Sequence, residues 1–376
     1  MIEVPNMPLY WRFKDKPGNS LGDPPAQAPF TFDYNPALDL IIERRSPALS
    51  QLLADIYSRD ANVGFLQDGH SHVQNYGADF WRFLSALAEV HHPRTVLEVG
   101  CGGCILLERF KNQGAHVLGV DPSPVAVAAG KRKDIQIIPE FFPPKSLPVV
   151  PDLIFQVDVL EHIEDPVPFL KAQAACIAEG GLIVVNVPDS TLSIGRGDIS
   201  MALHQHVNMY EEQSLANVFN AAGLDVVSME RSRYGSALYC AGRKAAVPIP
   251  ARTAGPERWQ TFQDTARRNI ESFCRHVSAA KAAGATIGFF MPQRAFSYLG
   301  FMNWWDGYRL FDNMNVWHRR YLDGVDIMIE NQADLVAKPV DHVFVMSLTF
   351  GKEVAAALNR DVPGMKVTTL DQILAA

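Results

Sequence analysis

The chain has 376 residues, a formal net charge of −7 with an isoelectric point near 5.9, and five cysteines. That length exceeds one ordinary core and points to two domains, while the acidic balance leaves no broad basic footprint for nucleic acid or an anionic membrane, so small molecules are the expected partners. No uninterrupted apolar stretch is long enough to span a bilayer, the first residues lack the apolar core of a signal peptide, and an odd, scattered set of cysteines fits a reducing, cytoplasmic setting better than a disulfide framework.

Residues 1–35 are rich in proline and polar side chains without a periodic pattern, which reads as an arm over the core. Helices are expected over 39–57 and 77–90, with the polar and aromatic segment 69–76 between them suited to a lid. The run 95–104 then reads as a buried strand, a glycine turn and a helix start, and 116–121 as a second buried strand ending in an acid. Gly100 and Gly102 let backbone approach a ligand with no Cβ in the way, and Asp121 lies where a carboxylate accepts ribose hydroxyls. A dinucleotide fingerprint would place a third glycine at position 105. Ile105 stands there, which disfavours a nicotinamide-dependent oxidoreductase. Cys101 and Cys104 form a C-x-x-C, but no second pair completes a zinc set.

The spacing of Glu98, Gly100 and Gly102 resembles motif I of the class I S-adenosylmethionine (SAM)-dependent methyltransferases, with Cys104 in the place of the last glycine. Residues 135–142 offer a third strand, and 152–166 a fourth whose continuation Val159-Leu-Glu-His-Ile-Glu-Asp-Pro166 is similar to that family's wording after its fourth strand. The run 182–188 is a fifth. The resemblance implies a doubly wound, Rossmann-like α/β domain with SAM as cofactor, contacted by Glu98, Gly100, Cys101, Gly102, Asp121, Pro122, Phe141, Val157 and Asp158. Glu161 and His162 read as ordering the turn after the fourth strand.

Residues 198–210 form the expected chemical centre. Small-molecule methyltransferases of this class place a histidine before the next helix, and the nucleotide-sugar C-methyltransferases carry a Tyr-x-Glu-His version. Aligned on that segment, His206 takes the histidine, Gln205 replaces the glutamate and Leu203 the tyrosine. Glutamine cannot act as a base, so O- or N-methylation with His206 as base or orienter is favoured over C-methylation, with His204 and Tyr210 next in line. His204 and His206 lack a nearby third ligand, so no metal is expected.

A helix to residue 222 and strands at 224–230 and 236–243 complete this domain, and the prolines of 245–250 mark its end. Beyond a long helix over 257–283, strands at 286–291, 308–312 and 342–346 and a helix at 352–359 make a second, smaller α/β unit. It resembles the C-terminal Rossmann-like domain of the sugar C-methyltransferases, although no counterpart of that family's cysteine-rich zinc module is found. In place of the family's glycine-rich loop stands an aromatic segment, 291–298, from which Arg294 could bind an anion and Phe296 and Tyr298, with Trp304, Trp305 and Trp317, could stack on a substrate; Gln205 joins that set. The expected organisation is an arm over 1–35, a methyltransferase domain over 36–245 and an acceptor-binding domain over 246–376. The expected activity is methylation of a small acceptor, such as a sugar or secondary metabolite, in the cleft between the domains. A sugar-nucleotide C-methyltransferase and a non-catalytic SAM- or nucleotide-binding subunit remain as alternatives. Oligomeric state is not legible.

Overall fold

A computed structural model describes residues 1–8, 13–14, 16–17, 27–59, 71–234, 236–247, 249–253, 255–302, 307–314, 317–322 and 327–374. Its centre is a seven-stranded sheet built from β1 (Thr95–Val99), β2 (His116–Val120), β3 (Gln136–Ile138), β4 (Leu153–Val157), β5 (Leu182–Pro188), β6 (Leu224–Arg231) and β7 (Ala237–Lys244). The strand order is β6-β7-β5-β4-β1-β2-β3. The pairings from β3 across to β5 are parallel, and β7 inserts antiparallel between β5 and β6. Alternate side chains of each strand feed opposite faces. Leu97, Val99, Ile154, Ile183 and Val185 join one core, whereas Val96, Leu153, Phe155 and Val184 join the other. Continuous apolar strands buried on both faces are what make this sheet legible in the sequence.

A second sheet of five parallel strands follows the helix Pro256–Ala282: β8 (Ile287–Phe290), β9 (Tyr308–Phe311), β10 (Ile329–Glu330), β11 (His342–Val345) and β12 (Lys366–Thr369), in the order β10-β9-β8-β11-β12.

The N-terminal reading needs correction. Ile2–Pro8 and Gln27–Asn35 are strands of an antiparallel four-stranded sheet completed by Leu40–Glu43 and Asn208–Met209. Val4, Met7, Phe30 and Phe32 are fully buried in one cluster with Phe262, Phe273, Phe296 and Tyr298. They form part of the core where an arm was expected. Val4 to Phe30 and Ile2 to Phe32 are cross-strand partners, but Pro5, Pro8 and Pro29 break the alternation that would reveal them. Residues 40–43 are likewise strand, and the helix begins at Pro47. The expected aromatic loop at 291–298 is the helix Pro292–Leu299.

Candidate active site

The glycine loop leaves β1 with left-handed anchors at three alternate positions: Gly100 at φ 72°, Gly102 at φ 43° and Cys104 at φ 55°. The Gly100 amide donates to the Val120 carbonyl at 2.9 Å, stitching the loop to the end of β2. A Cβ on Gly100 would lie 2.5 Å from Val159 Cγ2, so the glycine is needed by the chain's own packing as well as by its φ. Asp121, buried at the end of β2, accepts from the Gly102 amide at 2.8 Å through one oxygen and from the Ser123 amide at 2.8 Å through the other. Each oxygen keeps lone-pair capacity for a further donor.

Glu98 is 3% exposed and its Oε2 has no hydrogen-bond partner. Burial pushes its carboxyl well above the usual range, with Cys104 and Asp121 adding to the shift. A buried orphan oxygen beneath a glycine cradle fits a ligand that brings a donor. Cys101 and Cys104 are both buried free thiols, 3.9 Å apart. Pro122 is half-buried beside Asp121. Phe141 is 50% exposed, so in this structure it makes no enclosed wall for an adenine.

Val157 ends β4 and Asp158 follows it at φ 51°. Burial raises the Asp158 carboxyl to about 6 against the lowering effect of the Tyr76 hydroxyl, which donates to it at 2.6 Å. Three residues on, Glu161 is 1% exposed, and neither carboxylate oxygen has a hydrogen-bond partner. His162 Nε2 lies 3.6 Å from Glu161 Oε1, beyond hydrogen-bonding range, while its Nδ1 is 2.7 Å from the Gln205 carbonyl and 3.2 Å from the Tyr57 hydroxyl. The His206 ring packs edge-on against His162 at 5.0 Å between centroids. Burial drops the His162 imidazolium to about 4 and lowers that of His206 well below the ordinary value, with His162, Arg294 and Arg45 adding to the latter. Both rings are therefore neutral near pH 7.

Glu161, His162 and His206 each bring one ligand atom within 4.8 Å of the others, a two-histidine, one-carboxylate set able to take a divalent cation. The His204–His206 pair weighed from the sequence is replaced by this set. His204 is 3% exposed with Nε2 at 3.2 Å from the Ala28 carbonyl and its ring against Phe30. Tyr210 is fully buried and its hydroxyl donates to the Leu160 carbonyl at 3.3 Å. Both hold the backbone, and neither joins the His206 cluster. Of the residues expected to meet a substrate, Phe296 and Tyr298 are fully buried, and the Tyr298 hydroxyl donates to Asp198 at 2.9 Å, so they pack the core instead of offering a stacking surface. Arg294 remains half-buried near the cluster, and Gln205 supplies its carbonyl to His162. Trp304, Trp305, Gly69 and His70 lie outside the described residues. Sequence reasoning missed Tyr57 and Arg45 as neighbours of this site; Tyr76 fell within the expected lid 69–76, whose residues from Ser71 onward belong instead to the helix Ser71–His91. Only His162's place in the quoted Glu-His wording could have flagged that cluster.

Residues 70–229 match the protein family described as "Methyltransferase domain". The chain therefore carries the catalytic domain of a methyltransferase, for which SAM is the cofactor. The chain is similar to the ubiquinone biosynthesis O-methyltransferase of Xylella fastidiosa (strain 9a5c), 30% identical over 159 residues, covering 37% of this chain and 64% of that one. A mitochondrial protein of the same name from Schizosaccharomyces pombe is 30% identical over 175 residues, covering 43% and 64%. The chain thus spans just under two thirds of the length of these relatives. Among solved structures, the 1,6-didemethyltoxoflavin-N1-methyltransferase of Burkholderia thailandensis overlays with a TM-score of 0.39 at 18% identity, over 57% of this chain and 99% of that one. No helix among the described residues is long and apolar enough to cross a membrane.

Proposed function

We propose that this protein methylates an oxygen or nitrogen of a small-molecule acceptor, with the glycine loop and Asp121 holding SAM and with His206 receiving the acceptor's proton. The observation that carries the reading is the convergence of Glu161, His162 and His206 beyond the carboxyl end of β4, next to the strand that bears the glycine loop. Ligands gather at that end of parallel strands.

SAM supplies the methyl group when bound, as an electrophile whose sulfur leaves. The chain's own work is to position the acceptor and move one proton. A neutral imidazole at His206 is ready to take that proton, and Glu161 lies within 4.8 Å of it with both carboxyl oxygens unpartnered, its carboxyl held well above the usual range by burial and by Asp158. The main-chain carbonyl of Gln205 fixes the His162 ring, and Tyr57 closes the same wall. With glutamine at 205 and leucine at 203, the carboxylate and phenol of the C-methylating pattern are absent from the segment, which supports transfer to a heteroatom. Sugar-nucleotide C-methylation is the second reading, resting on the five-stranded parallel sheet in the C-terminal third. A methyltransferase unit over 36–245, an acceptor-contributing unit over 246–376 and a cytoplasmic setting complete the proposal.

Calorimetry with SAM and with NAD tests the cofactor half, and binding of NAD in preference to SAM overturns it. Isotopically methyl-labelled SAM incubated with the protein and cell extract tests the reaction: label in a small molecule supports it, and label confined to SAM products across extracts defeats it.

A further inference from the structure

We propose that Arg294, at the mouth of the second sheet, binds an oxyanion carried by the acceptor, a phosphoryl or carboxylate group held apart from the atom that is methylated. This deepens the methyl-transfer reading and rests on it for the word acceptor only. The second sheet reverses its strand order between β8 and β11, each parallel to its neighbour. Parallel sheets take ligands in the crevice outside the carboxyl ends of the two strands that flank such a reversal. Here that crevice is entered by the residues after Phe290 and after Val345, and Arg294 lies four residues past the end of β8.

This end of the second sheet is turned toward the first site. Ser236, at the start of β7, meets Thr349 with their hydroxyls 2.8 Å apart. Tyr298 donates to Asp198 and accepts from the Ile199 amide at 3.3 Å. Arg294 Nη1 reaches the Ser200 carbonyl at 3.4 Å. The segment that carries His206 is therefore seated directly against the helix that carries Arg294.

The charges near His206 differ in how they are balanced. Arg45 is bonded to Glu43 at 2.5 Å and to the His204 carbonyl, with Glu164 at 3.8 Å. Asp198, the acid nearest to Arg294 along the segment, is committed to the amide and hydroxyl of Ser200, to Ser193 and to Tyr298. Among the described residues Arg294 has no carboxylate within ion-pair distance, and its one hydrogen bond is long. A half-buried guanidinium held by one long bond to a carbonyl, and by no carboxylate, is suited to a planar or tetrahedral oxyanion, which it can bind through two parallel bonds. The neighbouring Gln293 has its Oε1 buried with no donor, so the same ligand is expected to offer a hydroxyl or amide proton beside its anionic group.

The test uses the full chain with S-adenosylhomocysteine present, titrated calorimetrically with inorganic pyrophosphate, with malonate and with uncharged uridine as control. Pyrophosphate or malonate should bind, and whichever binds more tightly identifies a phosphoryl or a carboxylate. Arg294→Gln should weaken that anion at least ten-fold and Arg294→Lys by less, while affinity for S-adenosylhomocysteine stays within two-fold. Equal anion binding by wild type and Arg294→Gln, or none by wild type, overturns the proposal. Failure of S-adenosylhomocysteine to bind, with anion binding still dependent on Arg294, would instead remove the methyl-transfer reading and leave the anion site standing.

Discussion

The hydroxyl of Tyr76 lies 2.6 Å from Asp158 Oδ1, to which it donates, and 3.1 Å from Asn186 Oδ1, so the helix Ser71–His91 is fastened to the carboxyl ends of two adjacent strands of the central sheet. Asp158 sits there in the left-handed region, with its carboxyl already raised to about 6 by burial. Tyr76→Phe removes the donor that holds the carboxylate form. Loss of about 1–3 kcal/mol of stability is expected at pH 7. The sign with pH follows: without the hydroxyl the folded-state pKa rises further, so the extra penalty applies above that pKa and fades as the acid protonates. Urea melts at pH 7 and pH 4 should show the mutant's deficit narrowing at pH 4, and an unchanged deficit would mean that the bond does not bias the carboxylate.

Asp121 ties the glycine loop to β2 through two backbone amides while keeping acceptor capacity for ribose hydroxyls. Asp121→Ala should weaken SAM binding by about 1.5–3 kcal/mol, the scale of hydrogen bonds to a charged group. Calorimetry on a folded mutant decides the matter, and unchanged affinity would remove Asp121 from the cofactor site.

Gly100 carries two separate constraints, a φ of 72° and a clash partner in Val159. A left-handed alanine costs roughly 1–2 kcal/mol, and the clash adds to it. Gly100→Ala should therefore lower both melting temperature and SAM affinity, and Val159→Ala in the same chain should restore part of the loss. Absence of any rescue would assign the whole effect to the backbone angle.

How much of this was legible follows from where the information lies. The strands β1, β2, β4 and β5 are continuous apolar runs, and the glycine loop is a local pattern, so both can be read directly. The N-terminal strands pair residues as far apart as Ile2 and Phe32 and contain prolines, so their alternation is broken. His204 and His206 are equivalent as letters. Only tertiary packing sends one to the Ala28 carbonyl and the other to His162, and the meeting of Glu161 with His206 spans 45 positions that no local pattern encodes.

The second sheet carries its own pH-sensitive residue. His342 is 3% exposed, bonded to Thr368 at 2.8 Å and stacked on Phe344, and burial lowers its imidazolium to about 4, with Lys366 and His276 adding to the effect. A histidine near 6.5 when unfolded and near 4 when folded contributes stability that is full above pH 6.5 and is lost as pH falls toward 4. His342→Gln should flatten that part of the acid dependence of the melting temperature. An identical acid profile in the mutant would place the sensitivity elsewhere.

Three residues competed for the acid–base role in the segment before Glu212–Ala221, and their surroundings give each a different expected phenotype. His206 faces His162 and Glu161, so His206→Ala should lower turnover by roughly two to four orders of magnitude while SAM affinity hardly changes. Tyr210 bonds only a carbonyl within the core, so Tyr210→Phe should cost about 0.5–1.5 kcal/mol of stability and leave turnover close to wild type. His204 spans to the Ala28 carbonyl of the N-terminal sheet, and its replacement by alanine should appear as a lowered melting temperature with turnover per folded molecule retained. Measuring kcat, SAM affinity and melting temperature for all three separates the roles. Wild-type turnover in His206→Ala, or a collapse of turnover in a stable Tyr210→Phe, would move the proton transfer to another group.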